Sequence, residues 1–354
     1  MKLLRLLLFP FSILYGLGVI LRNLAYDFGI FRSQQFQLPL ISIGNLSVGG
    51  SGKSPMTEYL VRLLKDKYKI ATLSRGYGRK TTGFLMVDAD AASSETGDEP
   101  LQFKRKFNEI TVAVCEDRVK GISRLEKDHK LIILDDAFQH RAVKPGLSIL
   151  LFEYKNFHEF QWLLPAGDLR EPMSGKKRAD ILVISKCPKA ISLNERQAIE
   201  ERLNRNNPKA LFFSYLDYGN LIPLNGNSPV RPLNSLNETS RIILLTGIAN
   251  ALPLLEELSS HGAALIHHEY PDHHQFNAKN IAKLVSSFKA LDQGDNLIIT
   301  TEKDAQRLNL AGIREQLISL PVYYLPVETE FQEADKTLFN KLIEEYASKS
   351  ALIS

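Results

Sequence analysis

Hydrophobic positions along this chain gather into short apolar runs separated by segments of helical period. Residues 38–43, 68–73, 83–88, 111–114, 131–134, 147–152 and 181–185 read as strands. Between the first two, Met56, Leu60, Val61 and Leu64 recur at the spacing of one helix face. Strands alternating with helices in this way predict a doubly wound parallel sheet over 34–206. From 207 to 240 the helical pattern lapses, and an apolar run at 211–216 precedes turn signals at Pro223, Asn225-Gly226 and Pro229, which predicts a linker carrying a strand pair. A second alternating region, 241–354, predicts a smaller α/β domain with strands near 242–246, 264–267, 297–300 and 322–325 and a final helix to about 347. Two α/β domains with a cleft between them are the expected outcome.

The first 33 residues follow a different pattern. Residues 6–21 carry no charge, and Lys2, Arg5, Arg22 and Arg32 flank them against a single Asp27. A helix over that run would extend about 24 Å at ~1.5 Å per residue, short of the ~20 apolar residues that cross a bilayer. Pro10, Gly16 and Gly18 weaken a straight span further. The pattern fits a retained membrane-associated helix with basic flanks near anionic head groups, over the alternatives of a buried core helix or a cleavable signal peptide.

Composition changes this picture little. With 354 residues, 44% hydrophobic and 24% charged, the chain has room for two folded domains. A net charge of +4 is too mild and dispersed for a nucleic-acid partner. Cys115 and Cys187 are isolated, so neither a metal knuckle nor a disulfide framework is indicated, and a reducing compartment fits.

The chemistry centres on the turn after the first strand, Ser47-Val48-Gly49-Gly50-Ser51-Gly52-Lys53-Ser54. A glycine-rich turn between a strand and a helix start aims backbone N–H groups at one spot, where phosphate oxygens can accept them. In the G-x-x-x-x-G-K-[ST] pattern the lysine reaches the outer phosphates and the final hydroxyl joins magnesium, which assigns these roles to Lys53 and Ser54. Ser47 stands where the first glycine belongs, so either the loop is shaped differently there or Gly49 and Gly50 absorb the strain. Asp135 and Asp136 end an apolar strand, where a nucleotide-bound magnesium is held in folds of this kind. The late strand runs into Ser185-Lys186-Cys187-Pro188, without the aspartate that reads guanine, which favours ATP over GTP. The histidines at 267, 268, 273 and 274 match no standard metal-ligand spacing, leaving surface histidines as the plainer alternative.

Taken in order, Ser42-Ile43-Gly44-Asn45 with the phosphate loop, Ser74-Arg75-Gly76-Tyr77-Gly78, Gly97-Asp98-Glu99-Pro100, Asp135-Asp136-Ala137-Phe138-Gln139-His140-Arg141, Leu164-Pro165-Ala166-Gly167, Arg170-Glu171-Pro172, Thr246-Gly247-Ile248-Ala249-Asn250, Pro271-Asp272-His273-His274 and Thr301-Glu302-Lys303-Asp304 resemble the tetraacyldisaccharide 4'-kinase family of lipid A synthesis. Ala137 replaces the family's usual glycine, and Ser51 and Ser54 stand where threonine is common. The resemblance implies ATP- and magnesium-dependent phosphoryl transfer to a lipid A disaccharide precursor, at the cytoplasmic face of the inner membrane and among its lipids. It carries over Asp98 as the base and His273 as its partner across the cleft. Arg75, Tyr77, Arg118 and Gln139 are the candidate substrate contacts, since cations suit a phosphorylated disaccharide and an aromatic ring can stack on a sugar. Arg170 and Glu171 are read as an ion pair tying two loops, or as a functional pair. No protein partner is indicated. The alternative from another class is a membrane-attached nucleotide switch or nucleotide-dependent chaperone.

Overall fold

A computed structural model describes residues 5–157, 161–204, 209–225, 228–309 and 312–351. Lys2, Gly226 and the last three residues fall outside this set. The chain opens with helix α1, Phe9–Asp27, followed by β1 (Leu40–Asn45), α2 (Lys53–Leu64), β2 (Ile70–Ser74), β3 (Leu85–Met86), α3 (Asp98–Lys106), β4 (Thr111–Val114) and α4 (Arg118–Leu125). Then come β5 (Leu131–Leu134), β6 (Leu147–Glu153), β7 (Ile181–Ser185), α5 (Leu193–Asn204), β8 (Ala210–Tyr218) and β9 (Ile222–Pro223). The rest comprises β10 (Ser240–Thr246), α6 (Leu252–Ser260), β11 (Ala264–Glu269), α7 (Ala278–Lys289), β12 (Asp295–Thr301), α8 (Glu302–Leu308), β13 (Val322–Leu325), β14 (Val327–Phe331) and α9 (Glu333–Ala351).

The larger sheet has the order β14-β8-β7-β6-β1-β5-β2-β4-β3, parallel from β8 to β4 with an antiparallel strand at each edge. Its central strands are buried on both faces, which explains why they read as continuous apolar runs rather than alternating ones. Strand β1 lies between β5 and β6, so the turn after β1 opens beside the carboxyl end of β5. That is where a doubly wound sheet receives ligands. The smaller sheet, β11-β10-β12-β13-β9, is parallel except for β9.

Two boundaries differ from expectation. The strands near 207–240 do not pair with each other: β8 extends the larger sheet beside β7, while β9 joins the smaller sheet beside β13. The last 25 residues described also leave the smaller sheet, because β14 pairs with β8 and α9 packs back on the larger one. Phe339, Ile343 and Ala347 of α9 are buried in the same cluster as Ile41 and Leu60. Tyr346 Oη donates to Leu40 O and accepts from Leu40 N, both at 3.1 Å. Apolar periodicity marks such strands and helices equally well in either sheet, so it could not say which one they join. The chain thus crosses between sheets twice, and Gly219 N donates to Pro326 O at 3.0 Å where the crossings meet.

Helix α1 is the one described helix long and apolar enough to cross a membrane. Its buried stripe, Ser12, Gly16 and Val19, faces the protein, while Phe11, Leu14, Leu17 and Leu21 are exposed. A Cβ on Gly16 would come within 2.7 Å of Leu163 Cδ1, so glycine is what permits this close docking.

The Phe339 ring stacks on Phe331 at 4.7 Å and meets Tyr59 of α2 edge-on at 5.9 Å. Phe339→Ala should destabilise the protein by about 3–5 kcal/mol, read as a lower midpoint in denaturant titration.

Candidate active site

The turn from Leu46 to Gly52 takes left-handed backbone only at Gly49 (φ 101°) and Gly52 (φ 82°). Ser47 needs no such conformation, because it pairs as a bridge with Leu169, and Val48 N donates to Asp168 O at 2.7 Å. The missing first glycine is thereby accounted for: a neighbouring loop stitches that end of the turn, and Gly49 takes the strained position. Ser51 is buried, Ser185 Oγ donates to Ser51 O at 2.7 Å, and a Cβ on Gly50 would lie 3.8 Å from Lys186 Nζ. The loop therefore rests on the end of β7.

Helix α2 begins at Lys53. Its ammonium lies 3.6 Å from Asp136 Oδ1, and Asp136 is also gripped by Arg170 NH1 at 3.0 and 3.1 Å. The pairing expected between Arg170 and Glu171 is absent. Glu171 is fully buried and instead accepts from Arg178, Gln139 and Asn23. Neighbouring residues in an extended turn point apart, so the two charges serve different loops.

Asp135 is buried and accepts from Thr57 Oγ1 at 3.0 Å, with no lysine or arginine among the described residues within ion-pair reach. Burial and the negative charges of Glu99 and Asp136 push its carboxyl well up from the usual range. Ser54 Oγ donates its hydrogen to Glu99 Oε1 at 2.7 Å, which leaves the hydroxyl lone pairs free. Among the described residues no three His, Cys, Asp or Glu side chains form a ready-made metal cage. A buried carboxylate lacking a cation and a hydroxyl with free lone pairs fit magnesium that draws its other ligands from phosphate and water.

Glu99 opens α3 and also receives Lys303 Nζ from α8 of the smaller sheet. Burial opposes its ionisation, but the Lys303 charge and hydrogen bonds outweigh it and hold the carboxyl low. One residue earlier, Asp98 is buried and takes His273 Nδ1 at 3.1 Å and Arg307 Nε and NH2 at 3.0 and 2.6 Å. Burial alone would raise Asp98; the hydrogen bonds and charges of His273 and Arg307 overcome it and hold the carboxyl at about 2. Because an ionised Asp98 can only accept, Nδ1 of His273 carries the proton. His273 itself sits in left-handed backbone (φ 59°) in the turn after β11. The neighbouring histidines have separate partners: His267 bonds Thr246, and His274 stacks on Tyr270 and bonds Asn280.

The four substrate candidates lie in different surroundings. Arg75 and Tyr77 are exposed on the turn after β2, and the Tyr77 ring lies 5.5 Å from that of His273. Arg118 is only 4% exposed and donates to Cys115 O and Glu116 O. Gln139 donates to Asn45 O at 2.6 Å and to Glu171. In this structure these last two hold loops together, and Arg118 Nε is a buried donor without a hydrogen-bond partner.

Glu99, Lys303 and Arg307 were not assigned roles from sequence. Glu99 lay in view inside the Gly97–Pro100 motif, and Arg307 lies four residues beyond Lys303, the spacing that puts two side chains on one helix face.

The family model described as LpxK, tetraacyldisaccharide-1-P 4'-kinase, matches residues 4–346. The tetraacyldisaccharide 4'-kinase of Parabacteroides distasonis is 44% identical over 352 residues, covering 95% of this chain and 93% of the relative. That of Flavobacterium psychrophilum is 44% identical over 350 residues, covering 97% of each. The crystal structure of LpxK from Aquifex aeolicus in complex with ATP superposes with a TM-score of 0.73 at 30% identity, covering 97% of this chain and 99% of that one.

His140 supplies a pH test of the loop after β5. Burial, then the charges of Arg118 and Arg75, lower its pKa to about 4, so the folded protein keeps it neutral while the unfolded chain protonates it below about 6.5. Its contribution is therefore present above pH 6.5 and lost as pH falls towards 4. Asp135 and Glu302, both raised, act with the opposite sign, so the parent alone would mislead. Between pH 7.5 and 5 the parent should lose on the order of 1 kcal/mol, after solvent screening, relative to His140→Gln in denaturant titrations.

Proposed function

The chain belongs to the tetraacyldisaccharide-1-P 4'-kinase family and is an ATP-dependent kinase of lipid A biosynthesis, and we propose that it acts through Lys53, Ser54, Asp135, Asp136, Asp98 and His273. Residues 47–54 bind the triphosphate through backbone N–H groups, and Lys53 exchanges its pairing with Asp136 for the β- and γ-phosphates. Ser54, Asp135 and Asp136 would hold magnesium, which when bound neutralises charge between those phosphates.

Asp98 receives the proton of the 4'-hydroxyl as that oxygen bonds to the γ-phosphorus and the bond to the β-phosphate oxygen breaks, releasing ADP. A carboxyl held at about 2 is a weak base, which suits a loose transition state in which the hydroxyl loses its proton late. His273 keeps Asp98 ionised and oriented. Arg75 and Tyr77 meet the sugar and its 1-phosphate; both are exposed, and the Tyr77 ring lies 5.5 Å from that of His273. The apolar outer face of α1 dips into the cytoplasmic leaflet of the inner membrane, where a lipid acceptor would be met.

A single observation supports this most strongly. Helix α3 begins with Asp98 on His273 and Glu99 on Ser54, so the base and the phosphate loop meet at adjacent residues.

Asp98→Asn should reduce kcat by about 10²–10⁴-fold with ATP affinity retained. Unchanged turnover would remove Asp98 as the base, and ATP turnover that ignores added lipid disaccharide would point instead to a nucleotide switch. Replacing Leu14 and Leu17 of α1 together by Asp should abolish co-sedimentation with anionic vesicles while leaving the thermal midpoint near the parent's, since both side chains are exposed.

A further inference from the structure

Arg307 of α8 is wholly buried, an unusual place for a cation, and every direction of its guanidinium is used. NH1 donates to Gly247 O at 2.9 Å and to Asp304 Oδ1 at 2.8 Å, both in the smaller sheet's half of the molecule. Asp304 is itself fixed, accepting from Gly247 N at 3.0 Å and from Thr301 Oγ1 at 2.7 Å. Gly247 closes the set, since its carbonyl also receives His273 N at 3.0 Å, and a Cβ there would come within 3.1 Å of Asp304 Oδ1. Arg307 and His273 are thus mounted on one rigid base. From it, Arg307 Nε and NH2 reach across to Asp98 at the start of α3, on the larger sheet.

Three donors, one from His273 and two from Arg307, converge on the same oxygen, Asp98 Oδ2. Among the described residues none donates to Oδ1, and that atom is not among the buried polar atoms without a partner, so it remains open to incoming groups. A carboxylate clamped through one oxygen by a planar fork has its other oxygen aimed in a set direction. We propose that Arg307 is a positioning residue for phosphoryl transfer: by clamping Asp98 Oδ2 from the smaller sheet, it aims Oδ1 at the acceptor hydroxyl and completes the base only when the two halves are docked.

Arg307 touches neither nucleotide nor acceptor in this scheme and acts through Asp98. The inference rests on Asp98 being the base. The depressed Asp98 carboxyl agrees with the clamp, and the remaining charges near it are Asp272 beside His273, and Glu99 with Lys303 on the adjoining turns of α3 and α8.

The test measures kcat, lipid KM, ATP affinity and thermal midpoint for the full-length protein, with Arg307→Gln, Arg307→Lys and Asp98→Asn alone and Arg307→Gln combined with Asp98→Asn. Arg307→Gln should lose about 10²-fold in kcat, the cost of a misaimed group, with ATP affinity and lipid KM within about twofold of the parent. Arg307→Lys, retaining a charge but only a single point of donation, should recover part of that loss. On top of Asp98→Asn, Arg307→Gln should change the residual rate less than about twofold, because it has no base left to aim. Parental kcat in a folded Arg307→Gln protein, a loss confined to KM, or the same fold loss in both backgrounds would overturn the proposal. Should the Gln variant not fold, Arg307→Lys decides by the same kcat and KM criteria. Full turnover by Asp98→Asn would instead show that the underlying assignment of the base had failed.

Discussion

The constraint on which the rest of the structure depends is the docking of α8 against α3. Four polar links cross it: Arg307 to Asp98, Lys303 to Glu99, Lys106 to Glu302, and Arg105 to Gln306. Most of these groups are buried or half-buried, so their charges are compensated by one another rather than by water, and removing one partner leaves the other stranded. Helix α3 is also pinned from its opposite side, where Glu58 of α2 receives Gln102 at 2.8 Å and Lys106 at 2.7 Å. It therefore lies between the helix that follows the phosphate loop and the helix that carries the clamp. A shift in either helix is felt at the first turn of α3, where Asp98 and Glu99 sit.

A second chain of contacts joins the apolar N-terminal segment to the same centre. Arg5 donates to Gly167 O at 2.7 Å, Ser12 Oγ accepts from Ala166 N at 2.9 Å, and Tyr15 Oη donates to Arg170 O at 2.8 Å. The segment they hold pairs with Ser47 and sends Arg170 to Asp136. The apolar helix is thus tied through this segment to the glycine-rich turn after β1 rather than tethered by a free linker.

Much of this was legible in the residues alone, and the reasons are local. The positions of Lys53 and Ser54 at the start of α2 follow from loop spacing, and that of Asp135 from the apolar strand it ends. The cross-sheet partners were harder to read, because a side chain's contact with a residue two hundred positions away leaves no trace in periodicity. Arg307 could be placed on the face of Lys303 once a helix is assumed, but its target could not. The return of β14 and α9 to the larger sheet was hidden for the same reason: an amphipathic helix declares that it packs, not against what. The burial of Arg118, which braces a turn, was not legible either, since charge alone does not tell a buried donor from an exposed one.

The return of the chain also bears on how the protein is made. Tyr59, in the helix immediately behind the phosphate loop, packs on Phe331 and Phe339, and its hydroxyl donates to Asn340 at 2.7 Å. Those partners emerge from the ribosome only after the whole smaller sheet has been synthesised. The half that carries residues 47–54 therefore cannot finish packing until that helix has been made, and its nascent form waits, partly uncovered, for it to arrive.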